Sequence, residues 1–513
     1  MERIKLYMLL ERLEVLTVSG GCDPDREIRQ IASDSRDVVK GGLFIAVRGF
    51  ETDGHRFIEN AVDRGAVVVV CQELPGILRD AVCYIVVRDS RRSMAQIAKR
   101  FYHDIADRLK IIGVTGTNGK TTTARLMAAM MNDCGIPTGY IGTGLALVGE
   151  ETVLLGKTTP EAEVLHRLFF MMAERGCKAV VMEVSSHALV LQRTHGIRFA
   201  GAVFTNLTQD HLDFHHTMER YAKAKQQLMD GVDPEGFVVV NADDPWAAFM
   251  VKKRGNTELY CCTVGHKKFV CQEGEEVRAR VIKAEMQHTE VEIETGVGRY
   301  ECGFRLPGIY NVMNLLEVFA AGIAMGLQPE QAIGRLAAAS PVEGRMEIIS
   351  DTTGEFSAVV DYAHTPDALG KVIEALGELK PRGGALIVVF GCGGNRDSDK
   401  RPKMGSVAAK GADRVIITSD NPRDEDPGEI MDDIVKGIVS ESFHRFTSRS
   451  EAIRCGVNLM KKGDILLVAG KGHENYQEIA GNRRYFSDRE TITAALAARN
   501  AQRQSEKGTE PGI

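Results

Sequence analysis

No run of apolar residues approaches the ~20 needed to cross a bilayer, so the sequence offers no membrane-spanning helix. The opening Met1-Glu2-Arg3-Ile4-Lys5-Leu6, with Glu11-Arg12 after it, carries charge through any signal core. The eleven cysteines contain no Cys-x-x-Cys pair, and an odd count without framework spacing predicts reduced thiols in a cytoplasmic protein. Neither sign of charge dominates: 64 basic and 70 acidic residues leave a net −6. That balance argues against a nucleic-acid coat or a polybasic membrane binder, while leaving room for a local basic pocket for phosphates. Low-complexity tracts and repeats of solenoid period are also missing.

The remainder is ordinary globular composition, 44% hydrophobic and 26% charged. At 513 residues the chain is too long for one hydrophobic core. Val67–Val70 and Tyr84–Val87 read as buried strands and Ser93–Phe101 as an amphipathic helix. From Lys110 to about Ala339 strand, loop and helix alternate, with strands at Lys110–Val114, Ala179–Met182, Ala202–Phe204 and Phe237–Val240. This pattern predicts a mostly parallel sheet with helices on both faces. Between Val277 and Phe304 the period shifts toward two, which predicts an antiparallel meander. After Glu343-Gly344-Arg345 a second α/β pattern supplies strands at Ala358–Asp361, Ala385–Phe390, Arg414–Thr418 and Ile465–Val468. The expected organisation is three α/β domains, 1–108, 109–340 and 341–500, followed by a frayed polar tail over 501–513.

The sharpest local feature is Ile111-Ile112-Gly113-Val114-Thr115-Gly116-Thr117-Asn118-Gly119-Lys120-Thr121-Thr122. A strand enters a Gly-rich turn and a helix opens on Lys-Thr-Thr, which points backbone N–H groups and the helix dipole at phosphate oxygens. Lys120 suits the β/γ-phosphates of ATP and Thr121 suits Mg²⁺. The strict G-x-x-x-x-G-K-[ST] template fails, because position 114 is valine. Glu183 ends a strand, where a carboxylate can reach a ligand at the sheet's C-terminal edge. The cluster Asp210, His211, Asp213, His215 and His216 invites a zinc reading, although ATP chemistry more often uses Mg²⁺ on oxygen ligands.

Gly116-Thr117-Asn118-Gly119-Lys120-Thr121-Thr122 resembles the phosphate loop of the Mur ligases and their folylpolyglutamate synthetase relatives. The resemblance continues in family order through Asp34-Ser35-Arg36, Glu183-Val184-Ser185-Ser186-His187, Thr205 to Asp213, Tyr310-Asn311-x-x-Asn314, Gly344-Arg345-Met346-Glu347 and Asp361 to Pro366. It covers nearly the whole chain. It implies an N-terminal UDP-sugar domain, a central P-loop ATPase domain and a C-terminal Rossmann-like domain. It also implies an ATP-dependent amide ligase of peptidoglycan precursor synthesis, working on small molecules through an acyl phosphate with no protein nucleophile; a monomer is expected.

The resemblance carries roles onto particular residues. Gly116, Thr117, Asn118, Gly119, Lys120, Thr121 and Thr122 hold the ATP phosphates, with Asn311 and Asn314 at adenine and Arg345 and Asp361 at the nucleotide's hinge side. Lys120, Glu183, His211 and Lys225 form the catalytic centre. Mg²⁺ is held by Thr121, Glu183, His211 and a carbamylated Lys225, while His215 and His216 cap or line a loop. On the UDP-muramoyl-dipeptide fall Ser33 and Ser35 near uracil and Thr158, Thr159, Ser185, Gln192 and Arg193 along the peptide. The family's glutamine stands two before that arginine; here position 191 is leucine and Gln192 is adjacent.

Within the family the resemblance runs to the member that adds meso-diaminopimelate to the γ-carboxyl of D-Glu. The deciding segments are Gly391 to Arg396, Asp420-Asn421-Pro422-Arg423 and Gly470 to Glu474. Meso-diaminopimelate exceeds L-lysine by one distal carboxylate, which calls for a fixed guanidinium. Arg423 and Arg396 are the candidates, with Asp420, Asn421 and Glu474 for the distal ammonium and Gly470 for close backbone approach. The rivals are an L-lysine-adding ligase, a folylpolyglutamate synthetase-like ligase and a P-loop switch that hydrolyses ATP alone.

Overall fold

The structure is a computed structural model that describes residues 4–49, 52–253, 255–265, 274–350, 356–439 and 443–507. Near-continuous apolar runs form its strands, as expected of parallel strands buried on both faces. Ala66–Cys71, reading AVVVVC, is one of them. It sits mid-sheet in the N-terminal order Val15–Gly20, Cys83–Val87, Ala66–Cys71, Gly42–Ile45, Ile31–Ala32, in which only the first pair is antiparallel. The covering helix Ser90–Phe101 starts where the Asp89 carboxylate accepts from the backbone N–H groups of Arg91 and Arg92, a capping arrangement.

The central sheet runs through parallel strands Thr138–Gly142, Ala179–Glu183, Lys110–Thr115, Phe199–Phe204, Val232–Asn241 and Glu258–Val264. It is then extended by Glu275–Ala284, Thr289–Thr295 and Gly298–Phe304, the last three forming the expected antiparallel meander. The opposite edge carries a hairpin, Leu145–Val148 with Glu151–Leu154, which the sequence pattern did not reveal. Two apolar clusters fill the two faces. Helices Lys120–Asp133 and Ile309–Ala324 belong to one, Ala162–Glu174 and Met218–Asp230 to the other.

The C-terminal sheet has the order Glu347–Ser350, Ser357–Asp361, Ile465–Ala469, Leu386–Phe390, Arg414–Thr418, Phe443–Phe446, parallel apart from its first pair. A separate hairpin, Tyr476–Ile479 with Asn482–Tyr485, is tied to the site by a bridge between Ile479 and Arg423. The last helix, Asp488–Lys507, continues past residue 500, where a frayed tail was expected. A fully buried pair, Arg449 Nε to Asp488 Oδ1 at 2.7 Å, anchors its start. Among the described residues no helix is long and apolar enough to cross a membrane.

The expectation of reduced thiols needs correction. Cys22 and Cys83 form a disulfide with Cα atoms 4.5 Å apart, and Cys261 is disulfide-bonded as well. The pairing of Gly20 with Cys83 at the sheet edge brings together two cysteines separated by 61 positions; spacing along the chain carries no trace of that.

Candidate active site

The C-terminal ends of the central and C-terminal strands open on one cleft of about 2380 Å³, lined by residues from all three α/β units, among them Ser35, Lys120, Glu183, Asn311, Arg396 and Glu474. Ligand sites in open α/β sheets form at such ends.

The phosphate loop follows strand Lys110–Thr115 and leads into helix Lys120–Asp133, with Gly119 as its cap. Gly116 has φ +155°, and a Cβ there would come within 1.9 Å of Thr205 Oγ1, so only glycine fits. The loop is pinned from neighbouring strand ends: Thr117 Oγ1 donates to Thr208 O at 3.1 Å, and Asn118 N–H to Asn206 Oδ1 at 2.9 Å. Lys120 Nζ donates to Gly116 O at 2.9 Å and Thr117 O at 2.8 Å. Thr122 is buried, and Thr121 Oγ1 accepts from Arg345 Nη2 at 3.0 Å, a contact that reaches across from the C-terminal domain.

Lys225, in helix Met218–Asp230, is 1% exposed and donates to the same Gly116 carbonyl at 2.6 Å. Burial and then the adjacent Lys120 push its pKa well down, with Asp210 opposing. Desolvation likewise lowers Lys120, against Glu183 and Asp210. Glu183 is buried and held by Tyr140 Oη (2.7 Å), Thr143 N–H (3.0 Å) and Thr143 Oγ1 (3.2 Å); the sequence reading named neither partner.

His211 has φ +54° and points Nε2 at Asp210 Oδ2, 3.3 Å away. Desolvation takes its pKa to about 3, so the ring is neutral near pH 7. Burial pushes the Asp210 carboxyl up, but His211, His364 and Lys400 outweigh it and hold the group below its ordinary value. The oxygen donors here, Thr121, Glu183 and Asp210, suit Mg²⁺ with water in its shell; the imidazole nitrogen of His211 is a softer donor. His215 turns away, sharing a hydrogen bond with Ser186 Oγ at 2.8 Å and stacking on Tyr221. His216 is the C-cap of the short helix Leu212–His215. Among the described residues no three His, Cys, Asp or Glu side chains converge on a common metal position.

Asn311 and Asn314 are buried on the first turns of helix Ile309–Ala324. The Asn311 amide donates to Pro307 O at 2.7 Å, and Asn314 Nδ2 to Asn311 Oδ1 at 3.1 Å. The Arg345 guanidinium lies 4.5 Å from the centre of the Tyr362 ring. Asp361 accepts from the N–H groups of Met346 and Ala363 at 2.8 Å each. Burial raises its pKa, with Arg345 opposing.

On the N-terminal side, Ser33 Oγ bonds the Glu163 carboxylate and Ser35 is buried at the cleft wall. Thr158 Oγ1 meets Thr143 Oγ1 at 3.1 Å. Thr159 Oγ1 donates to Glu183 O at 2.9 Å and accepts from Ser185 N–H at 3.0 Å. Arg193 is fixed by Thr159 O (3.1 Å) and Glu161 (2.9 Å). Gln192 departs from expectation. It adopts φ +56° and returns its amide to Leu189 O at 3.4 Å, while Leu191 lines the cleft in its place.

The loops after Leu386–Phe390, Arg414–Thr418 and Ile465–Ala469 gather Arg396, Asp420, Asn421, Arg423, Gly470 and Glu474 on the cleft wall. Pro422 is buried and lies outside that lining; its carbonyl packs on Gly394. Arg423, at φ +53°, donates from Nη1 to Gly394 O at 2.7 Å. At Gly470, φ is +118° and a Cβ would come within 2.5 Å of Asp420 Oδ2. Burial raises Asp420, but Lys471 and Arg449 together outweigh it and hold the carboxylate ionised. Lys471 carries no signal of a role in the local sequence. It is fully buried and reaches Asn421 Oδ1 and Glu474 Oε2, both at 3.0 Å, while Asn421 Nδ2 meets the same Glu474 oxygen at 2.9 Å.

This arrangement joins a glycine-rich loop with Lys120 to a C-terminal wall that carries Arg345, Arg396 and Arg423, which suits phosphoryl transfer to an acid and condensation with a charged amine. Family models match along the chain: "Mur ligase family, catalytic domain" over 27–102, "Mur ligase middle domain" over 114–322 and "Mur ligase, glutamate ligase domain" over 344–472. The chain belongs to the Mur ligase family. Among its relatives, the UDP-N-acetylmuramoyl-L-alanyl-D-glutamate--2,6-diaminopimelate ligase of Chlorobium phaeobacteroides is 51% identical over 507 residues, covering 98% of this chain and 99% of that one. The protein of the same name from Chlorobaculum tepidum is 50% identical, covering 93% and 94%. A solved structure under that name superimposes with a TM-score of 0.66 at 31% identity, over 97% of this chain and 100% of the other. MurF from Acinetobacter baumannii shares the fold, at a TM-score of 0.65 and 17% identity over 98% and 99% of the chains.

Proposed function

We propose that this chain is the ATP-dependent ligase that joins meso-diaminopimelate to the γ-carboxyl of D-Glu in UDP-MurNAc-L-Ala-D-Glu, in the cytoplasm and as a monomer. The observation that carries the reading is half-identity over nearly full length to relatives named for this reaction, together with the paired arginines Arg396 and Arg423 at the cleft wall.

A carboxylate resists attack by an amine at neutral pH. The γ-phosphoryl group of ATP therefore passes to a γ-carboxylate oxygen: a P–O bond to the acid forms and the bridging P–O bond breaks, its electron pair staying on ADP. The neutral amine then attacks the acyl carbon, phosphate leaves with the C–O pair, and the nitrogen's surplus proton passes to water. The protein's work is alignment and charge neutralisation. In this reading residues 1–108 hold the UDP-sugar, 109–340 hold ATP and 341–500 hold the amino acid. The phosphate loop with Lys120 grips the nucleotide, Asn311 and Asn314 border adenine, and Arg345 and Asp361 border the ribose. Ser33, Ser35, Thr158, Thr159, Ser185 and Arg193 run along the UDP-dipeptide, with Leu191 rather than Gln192 at its wall.

Thr121, Glu183, His211 and a carbamylated Lys225 would hold Mg²⁺, which when bound neutralises phosphate charge. The hard-oxygen donors of Thr121 and Glu183 support this set. So does Lys225, whose buried, easily deprotonated amine is the form that adds CO₂ and loses a proton to give a carbamate anion. Arg423 and Arg396 pair with the distal carboxylate, while Asp420, Asn421 and Glu474 receive the distal ammonium.

The test is a substrate panel with ATP, Mg²⁺ and UDP-MurNAc-L-Ala-D-Glu, read by mass detection of the UDP-tripeptide. Meso-diaminopimelate gives product and L-lysine gives far less; equal rates would refute the specificity, and ATP hydrolysis without either cosubstrate would refute the ligase.

A further inference from the structure

Lys400 is one of several cleft-lining cations that the scheme above leaves without a role. Lys400 opens helix Lys400–Gly411 of the C-terminal domain, is 9% exposed and lines the cleft. Its ammonium makes no hydrogen bond or ion pair among the described residues, in contrast to Arg401 beside it, which engages Glu425 and Asp433. Lys403, one turn further on and on the same face, donates to Gln209 Oε1 at 3.1 Å. That contact seats the helix start against the central-domain loop bearing Asp210 and His211. Lys400 thereby lines the same cleft as Lys120, Asp210, His211 and His364.

An ammonium on a cleft wall with no protein partner is placed to meet an anion that enters the cleft. In this reading four kinds of anion enter the cleft: the ATP phosphates, the diphosphate of the UDP-sugar on the N-terminal side, the glutamyl carboxylates and the carboxylates of the amino acid. The last have guanidiniums suited to planar, two-point pairing. Lys400 is instead a compact point charge on the Asp210–His211 side, across the domain boundary from Lys120.

We propose that Lys400 is a catalytic residue that binds the phosphoryl group in flight between ADP and the γ-carboxylate, so that seating the C-terminal domain completes the cation ring begun by Lys120. While the P–O bond to the acid forms and the bridging P–O bond breaks, negative charge on the equatorial oxygens moves away from the central loop toward this helix. Lys400 meets it there and then holds the departing phosphate. The proposal rests on the ligase reading above and adds to it a residue and a timing.

The test uses the full-length enzyme and the Lys400→Met and Lys400→Arg variants. Two readouts are taken: steady-state kcat and KM for all three substrates, and positional isotope exchange in β,γ-bridge ¹⁸O-labelled ATP with the UDP-dipeptide but no diaminopimelate, which reports phosphoryl transfer alone. Lys400→Met is expected to lower isotope exchange and kcat together by about 100-fold, the loss typical of removing one transition-state donor. Each KM stays within about threefold, and Lys400→Arg regains about tenfold. A raised KM for diaminopimelate with isotope exchange intact would assign Lys400 to the amino-acid site and overturn the proposal. So would unchanged kinetics, or a kinetic loss matched by failure to bind ATP and the UDP-dipeptide. If the unsubstituted enzyme formed no UDP-tripeptide at all, the ligase reading itself would fail.

Discussion

Lys120 and Lys225, from different helices, donate to one and the same carbonyl oxygen, that of Gly116, at 2.9 and 2.6 Å. Two ammonium groups cannot both stay charged on one buried acceptor without a large repulsive cost. The conflict is resolved when Lys225 gives up its proton, which its depressed pKa favours.

The first prediction follows. Purified enzyme equilibrated with ¹³CO₂ shows a carbamate carbon resonance that disappears in Lys225→Ala. The variant loses activity by about 100-fold or more, as when a metal-supporting anion is removed, and short carboxylates restore part of it. Full activity of the unsupplemented variant would rule the carbamate out. Lys120→Ala should abolish product formation with the fold intact, checked by mass detection and thermal melting.

Arg423 has one guanidinium nitrogen committed to Gly394 O, which fixes the fork and leaves the others for a ligand. Arg423→Lys keeps the charge and loses the fork. KM for meso-diaminopimelate is expected to rise by about 30- to 1000-fold, corresponding to 2–4 kcal/mol for a buried charge pair, with KM for ATP unchanged. Initial-rate kinetics check this, and an unaltered amino-acid KM would remove Arg423 from the site.

Arg401 connects the two arginine-bearing loops without touching the cleft's ligands. It bonds Glu425 at 2.7 Å and Asp433 at 3.0 Å, while the Glu425 carboxylate also accepts from Asn395 N–H. In Arg401→Met the loops carrying Arg396 and Arg423 lose their common brace. The amino-acid KM should then increase more than kcat falls, and Arg401→Lys should recover part of the affinity. A fall in kcat alone would contradict this.

His166 is fully buried, with neither ring nitrogen partnered among the described residues, and burial lowers its pKa to about 3. The unfolded chain takes up this proton near pH 6.5 and the folded chain only near 3. Stability is therefore full above 6.5 and falls as the pH drops through that window, by ~1.4 kcal/mol per pH unit for one group. His211 adds to the slope over the same window, and His215, His364 and His473, lowered to about 4, do so down to that pH. Denaturant unfolding of His166→Phe between pH 6.5 and 4 should show a slope shallower by about one proton; an unchanged slope would contradict the burial argument.

Much of the fold was legible because it is written in short-range patterns. The apolar runs at Ala66–Cys71 and Leu386–Phe390, the period-two stretch before Phe304 and the turn at Gly116 each announce their structure within a dozen residues. The hairpin at Leu145–Leu154 was missed because mixed apolar and polar positions at a sheet edge resemble a loop. The turn of the Gln192 amide toward Leu189 O was not legible, because one step along the chain at a left-handed residue turns a side chain from one surface to another.

The sequence by itself determined that three α/β units follow one another, that the second carries a phosphate loop, and that paired arginines stand in the third. Each of these depends on side-chain period or backbone demands among near neighbours. Only the tertiary structure decided that Cys22 meets Cys83, that Lys225 shares a carbonyl with Lys120, that Lys471 is buried between Asn421 and Glu474, and that Lys403 meets Gln209 across the domain boundary. Those relationships join residues from separate elements, and their distances are set by how sheets and helices pack, which no local pattern encodes.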